Sequence, residues 1–159
     1  MTSHSFKDRA EQEKQYRLIL DELTALRATD ISENEFLKQV CITLDQRIPH
    51  YDWTGFYIVD RPGILKLGPY VGEPTDHVEI PFGRGICGQA AATGKTFVID
   101  DVSAQSNYLS CSFKVRSEIV VPIFRNNTLW GELDIDSHTP DAFNELDRWL
   151  LEEVGRVVD

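Results

Sequence analysis

No run in the 159-residue chain approaches the ~18 consecutive apolar residues that a membrane-spanning helix needs. The start, Met1-Thr-Ser-His-Ser-Phe-Lys-Asp-Arg9, has no apolar core of a secretory leader. Basic charge is scarce: 16 Lys plus Arg stand against 26 Asp plus Glu, for a formal charge of -10. Nucleic acids and anionic membranes both need a basic face, so neither is expected as a partner. Internal repeats, low-complexity tracts and a dividing linker are also missing. A hydrophobic content of 42% with 26% charged residues excludes wholesale disorder. The expectation is one acidic, cytoplasmic domain, long enough to build its core without staples.

Cysteine is sparse as well. Cys41, Cys87 and Cys111 form an odd set without any Cys-x-x-Cys, which does not suggest a structural disulfide framework. The four histidines (His4, His50, His77 and His138) lie far apart and argue against a structural zinc site. What remains is buried thiols, reactive thiols, or both.

The chain opens on helical periodicity. Tyr16, Ile19, Leu20, Leu23 and Leu26 make one apolar stripe. Ser32-Glu-Asn-Glu35 has the pattern of a capping box, and Phe36, Leu37, Val40, Cys41, Leu44 and Ile48 follow on one face before Pro49. Strand and turn signals take over at Trp53–Val59, at the turn Asp60-Arg-Pro-Gly63 and at Ile64–Val71. A short strand over Val78–Pro81 leads through Phe82-Gly-Arg-Gly85 into a helix over Ile86–Thr93, stopped by Gly94. Thr96–Ile99 is the next strand, and Asp100–Ser110 is loop with room for one helical turn. Ser117–Phe124 and Leu129–Ser137 flank Asn126-Asn127, residues that tolerate a tight hairpin turn. A last helix is expected from about Asp141, with Phe143, Leu146, Trp149, Leu150, Val154 and Val157 inward. This order gives an α+β fold with a central antiparallel sheet of six strands.

Several residues could carry chemistry. Cys41 sits on an apolar helix stripe and is expected to act as a small hydrophobe. Cys87 falls near a helix N-terminus, where the dipole is expected to lower a thiol pKa. Cys111 lies in a polar loop, and each of these two alone is either an idle or a reactive thiol. Glu132, Asp134 and Asp136 alternate with Leu133 and Ile135, so all three carboxylates share one strand face. That face is either solvated or a binding place for a cation. A strict two-residue turn sets Glu118 opposite Ile135, whereas a one-residue bulge, with Pro122 as its place, brings Glu118 beside Asp134 and Asp136. Gly83-Arg-Gly85 is too short for a dinucleotide fingerprint and suits a small carboxylate. Trp53 and Tyr57 alternate on one face and could wall a pocket. No Ser/His/Asp set or metal-ligand cluster is recoverable from spacing.

Together these pieces resemble a stand-alone GAF domain, and more narrowly the free methionine-(R)-sulfoxide reductase family. The resemblance runs from about Tyr51 to Val154. It is carried by Trp53-Thr-Gly-Phe-Tyr57, Ile80-Pro-Phe-Gly-Arg-Gly-Ile-Cys-Gly88, Ser110-Cys111, Ser117-Glu-Ile-Val-Val-Pro-Ile123 and Gly131-Glu-Leu-Asp-Ile-Asp-Ser137. It implies a single GAF domain over residues 1–159 with an N-terminal helical extension at about 6–29. It further implies Cys111 as the catalytic thiol and Cys87 as its resolving partner, the two forming a disulfide. Glu118, Asp134 and Asp136 line the substrate site by the same resemblance, beside the aromatic wall of Trp53 and Tyr57. The implied substrate is free methionine sulfoxide, the reductant thioredoxin or a similar dithiol, and the assembly a homodimer. No cofactor and no metal are called for. Where many members carry a further cysteine, ten residues before Cys87, this chain has His77. Two other classes compete: a non-catalytic GAF sensor of a small ligand, and a thiol redox sensor without turnover. The 159 residues hold no second domain to receive a signal, so the enzyme is the expectation.

Overall fold

The computed structural model describes residues 6–105 and 114–159; Cys111 and the stretch Asn107–Ser110 lie outside the described residues. In chain order the elements are α1 (Arg9–Arg27), α2 (Glu33–Arg47), β1 (Trp53–Arg61), β2 (Ile64–Val71), β3 (Glu79–Pro81), α3 (Gly85–Thr93), β4 (Phe97–Ile99), β5 (Ser117–Arg125), β6 (Thr128–Ser137) and α4 (Glu145–Val158). A single 3-10 turn over Val102–Ala104 falls in the loop before β5. Among the described residues the strands form one antiparallel sheet in the order β3-β2-β1-β6-β5-β4.

Alternation along the strands gives the sheet two different faces. Phe56, Ile119, Val121, Ile123, Leu133 and Ile135 point to one side, where they pack with the apolar faces of α1, α2 and α4. Cys41 is fully buried there, its thiol 3.5 Å from the Pro69 carbonyl oxygen, and burial pushes its pKa up to about 12. It fills space as a small hydrophobe. The opposite face carries Trp53, Tyr57 and Val120, and covers itself with Ile80 and the short helix α3.

Three local expectations need correction. The last helix begins at Glu145, not near Asp141, because Asn144 caps it: its side chain accepts from the N–H groups of Leu146 and Asp147, and Asp147 reciprocates. Its buried face includes Leu151 and Val158, while Leu146, Trp149 and Val157 are only partly covered. The third strand starts at Glu79, leaving Val78 55% exposed. The capping carboxylate of Asp147 also ties three segments together. Its Oδ1 accepts hydrogen bonds from Tyr16 Oη (2.5 Å) and Tyr51 Oη (2.8 Å) and lies 2.9 Å from His50 Nε2.

The third correction concerns the β5–β6 hairpin. Asn126 and Asn127 both have positive φ, 51° and 61°, as a tight two-residue turn demands. The extra residue is Trp130 on β6: Phe124 pairs with Leu129, and Ile123 already pairs with Gly131. Pro122 stays in register, opposite Glu132. The bulge lets Trp130 join the helix-covered core, its ring 6.3 Å from that of Phe56, while Leu129 packs on the other face. The Arg125 guanidinium lies 4.1 Å above the Trp130 ring and holds it there. Gly131 follows because a Cβ at this point would come within 2.5 Å of the Tyr57 carbonyl oxygen.

Candidate active site

The Trp130 bulge decides where the acids meet. Glu118 pairs with Asp136 rather than Ile135, so its side chain shares the face of Glu132, Asp134 and Asp136. On the other flank of β6, Trp53 pairs with Asp136, Gly55 with Asp134 and Tyr57 with Glu132. Four carboxyl groups thus line one side of two adjacent strands, β5 and β6, beside the aromatic residues of β1. The solvated-face alternative is excluded: Glu118, Glu132, Asp134 and Asp136 are 4%, 0%, 3% and 1% exposed.

The cover over this face is α3. Gly83 and Gly85 have φ of 89° and 65°, a left-handed geometry that favours glycine. The resulting turn is closed by Gly83 N–H donating to the Gly88 carbonyl at 2.7 Å and brings the third residue of the helix, Cys87, down onto the acids. Its Sγ lies 4.0 Å from Glu118 Oε2. The helix end does not lower this thiol's pKa as its position in the sequence suggests. Burial raises it well above the ordinary value, and Asp134, Glu132, Glu118 and Asp136 all add to the rise. Four nearby carboxyls outweigh one half-charge at a short helix end.

Trp53 and Tyr57 stand side by side on the same face, ring centres 6.4 Å apart, and Tyr70 extends the stack from Trp53 at 5.4 Å. Gly55 leaves the space for it, since a Cβ there would lie 2.5 Å from the Trp53 ring. Both aromatics also pin the loop after β2: Trp53 Nε1 donates to the Glu73 carbonyl at 3.0 Å, and Tyr57 Oη to the His77 carbonyl at 2.9 Å. A small pocket of about 10 Å³ remains between loop, helix and sheet, lined by Tyr57, His77, Ile80, Arg84, Ile86, Cys87, Glu118 and Asp134 among others. Trp53 is set back from it. In the sequence Ile80, Arg84 and Ile86 stand out only as parts of a motif and not as pocket residues, since a residue that merely closes a loop over a face leaves no periodic signal.

The electrostatics are unbalanced. Both Glu132 oxygens, and Asp134 Oδ1, are buried without a hydrogen-bond partner among the described residues. Burial raises the Glu132 pKa well above its usual range, Asp134 adds to this, and only the Cys87 thiol opposes it. Burial likewise raises Asp134, against hydrogen bonds from Glu118 and Cys87. A carboxyl raised by folding keeps its proton in the folded state where the unfolded chain has already lost it. Stability therefore falls as pH rises from the ordinary carboxylate value to the raised one, and levels off above that. Glu132→Gln is expected to flatten this fall and to raise Tm at pH 7, each kcal/mol gained being worth roughly 2–4 °C in a domain of this size. Melting curves of both proteins from pH 4 to 8 check this. Parallel curves would mean that Glu132 carries no ionisation cost.

A raised-pKa carboxyl beside a thiol, with further carboxylates around a closed pocket, can protonate a leaving oxygen and hold a cation. An antiparallel six-stranded sheet with a helical layer on one face and a loop and short helix over the other places the protein in the α+β class. A family model described as a GAF domain matches residues 30–158. The chain is 36% identical over 157 residues to Protein YtsP of Bacillus subtilis (strain 168), covering 98% of this chain and 96% of that protein. It is 34% identical over 133 residues to the free methionine-R-sulfoxide reductase of Escherichia coli (strain K12), covering 84% and 79% of the two. The solved structure of free methionine-R-sulfoxide reductase from Neisseria meningitidis, in complex with its substrate, superposes with a TM-score of 0.88 at 34% identity, covering 99% of this chain and 93% of that one. The chain belongs to the GAF domain family and, within it, to the free methionine-R-sulfoxide reductases, a family of oxidoreductases.

Proposed function

We propose that this protein reduces free L-methionine-(R)-sulfoxide to methionine on the carboxylate-lined face of its sheet. The observation that carries this reading is the convergence of Glu118, Glu132, Asp134 and Asp136, buried and facing the Cys87 thiol, in a chain whose relatives bear that activity in their names. Two or more of the carboxylates bind the substrate ammonium. Cys111 attacks the sulfoxide sulfur, and a carboxyl that has kept its proton passes it to the departing oxygen. The sulfur–oxygen bond breaks and its oxygen leaves as water, so that Cys111 is bonded to a methionine sulfonium. A water then attacks the Cys111 sulfur and loses a proton, the sulfur–sulfur bond breaks, methionine leaves, and Cys111 becomes a sulfenic acid. Cys87 gives its proton to a neighbouring carboxylate and attacks that sulfenic sulfur, forming a Cys87–Cys111 disulfide and releasing water. Thioredoxin or a similar cytoplasmic dithiol then reduces the disulfide by exchange and is itself oxidised.

Trp53 and Tyr57 serve as the wall against which the loop over Glu73 and His77 closes, with Tyr57 lining the pocket itself. The working unit is a homodimer of single GAF domains, each with α1 as its N-terminal extension. Among the described residues no helix is long and apolar enough to cross a membrane. The reading is tested by incubating the reduced protein with each sulfoxide diastereomer and a dithiol, and measuring methionine by chromatography. Methionine is expected from the R form alone. Reduction of neither diastereomer would overturn it.

A further inference from the structure

We propose that Cys87, Glu118 and Asp134 also form a binding site for a divalent zinc-like ion, and that its occupancy blocks the reduction proposed above. Only the inhibition rests on that reading; the binding rests on the geometry. One ligand atom from each residue lies within 4.8 Å of the other two, and all three side chains are buried. Zinc at about 2.3 Å from sulfur and about 2.0–2.2 Å from oxygen sets its ligands roughly 3.3–3.7 Å apart, so closing the site shortens the ligand separations by at most about 1.5 Å, shared between two side chains. The pocket between these atoms is about 10 Å³, close to one water-sized sphere and too small in this form for an amino acid.

A second observation points to a cation. Asp134 is 3% exposed, yet its Oδ1 has no hydrogen-bond partner, and neither oxygen of the neighbouring, fully buried Glu132 has one. A buried carboxylate oxygen without a donor is satisfied by positive charge, and a doubly charged ion supplies twice that of an ammonium. The donor set then selects the metal. Calcium takes six to eight oxygens and magnesium keeps its waters, so neither suits a one-sphere pocket with a thiol. A thiolate with two carboxylates suits zinc or cobalt, and three protein ligands leave the fourth position to water. Binding exchanges the Cys87 proton for the metal, so that Zn²⁺ and the thiol give a Zn–S bond and H⁺ with no change of oxidation state. An occupied site removes both the resolving thiol and the carboxylates from the catalytic cycle.

The test uses the full-length protein, reduced by a phosphine, and the metal alone. Zn²⁺ is titrated against a chromophoric chelator, and Co²⁺ reports a thiolate ligand through its sulfur-to-metal charge-transfer band. One equivalent is expected to bind and to produce the band. Cys87→Ser should lose the band, Asp134→Asn should weaken Zn²⁺ binding by at least about 10-fold, and Cys111→Ser should keep the band. Added Zn²⁺ should stop turnover, and a chelator should restore it. Absence of Zn²⁺ binding in an enzyme that turns over would overturn the site and leave the reductase reading intact. Retention of the band in Cys87→Ser, or its loss in Cys111→Ser, would also overturn the site. Binding with the expected variant pattern in a protein that reduces neither diastereomer would support the site and remove the reductase reading instead.

Discussion

Cys111→Ser is expected to lower turnover by on the order of 10³-fold or more, as removal of a nucleophile does in enzymes that form a covalent intermediate. Cys87→Ser should fail differently. It should release close to one methionine per protein in a single turnover and then stall with thioredoxin as reductant. The difference follows from the surroundings of Cys87, where burial and four carboxyls disfavour the thiolate. Such a thiol attacks a sulfoxide poorly. In the proposed cycle it meets a sulfenic acid instead, and a carboxylate such as Glu118, at 4.0 Å, takes its proton. Peptide mapping after substrate treatment without reductant should find a Cys87–Cys111 disulfide and a free Cys41, closed inside the helical layer. Closing that loop stabilises the oxidised protein by roughly 3 kcal/mol in the chain-entropy model. If Cys87→Ser makes no methionine while Cys111→Ser does, the roles are reversed. Recovery of Cys41 in the main disulfide would show that its helix opens during turnover.

An N-acetylated methionine sulfoxide is expected to be a poorer substrate than the free amino acid by about 10²-fold or more in kcat/KM, the scale of mismatch penalties in sites built around an N–H group. Glu118, Asp134 and Asp136 are almost fully buried, so their charge finds little water when the site is closed. The free substrate brings an ammonium to this place, and the acetylated one brings a neutral amide. Burying carboxylates without a cation costs about 1–3 kcal/mol or more per unsatisfied group, or forces them to take up protons. Low effective dielectric around the site strengthens the attraction for the true substrate. Asp134→Asn or Asp136→Asn should slow reduction of the free sulfoxide and narrow the gap between the two substrates. Equal rates on both would remove the carboxylate row from recognition.

Much of this molecule is legible in one dimension. The apolar stripe of α2, the span of β2, the Asn126-Asn127 turn and the αL cap at Gly94 all follow from short-range periodicity and turn chemistry. Strand alternation places Glu132, Asp134 and Asp136 on one face without any coordinates. Register lies at the limit of what the sequence can tell. Two pairings of β5 with β6 are compatible with the turn, and they send Glu118 to opposite faces. The contact that selects between them is between Arg125 and the Trp130 ring, backed by Phe56 on a third strand. No local rule contains a neighbour from another strand.

The sequence by itself determined the α+β order of elements, the family motifs, the shared face of three acids and the buried place of Cys41, because each depends on spacing within one element. Only the tertiary structure decided that the acid face is closed to water, that a bulge at Trp130 adds Glu118 to it, and that Cys87 is lowered onto it with its thiol pKa raised rather than lowered. These are properties of distance between segments far apart in the chain. Burial and charge act through space, and a thiol four ångströms from a carboxylate feels that neighbour whether or not the sequence separates them by 31 residues.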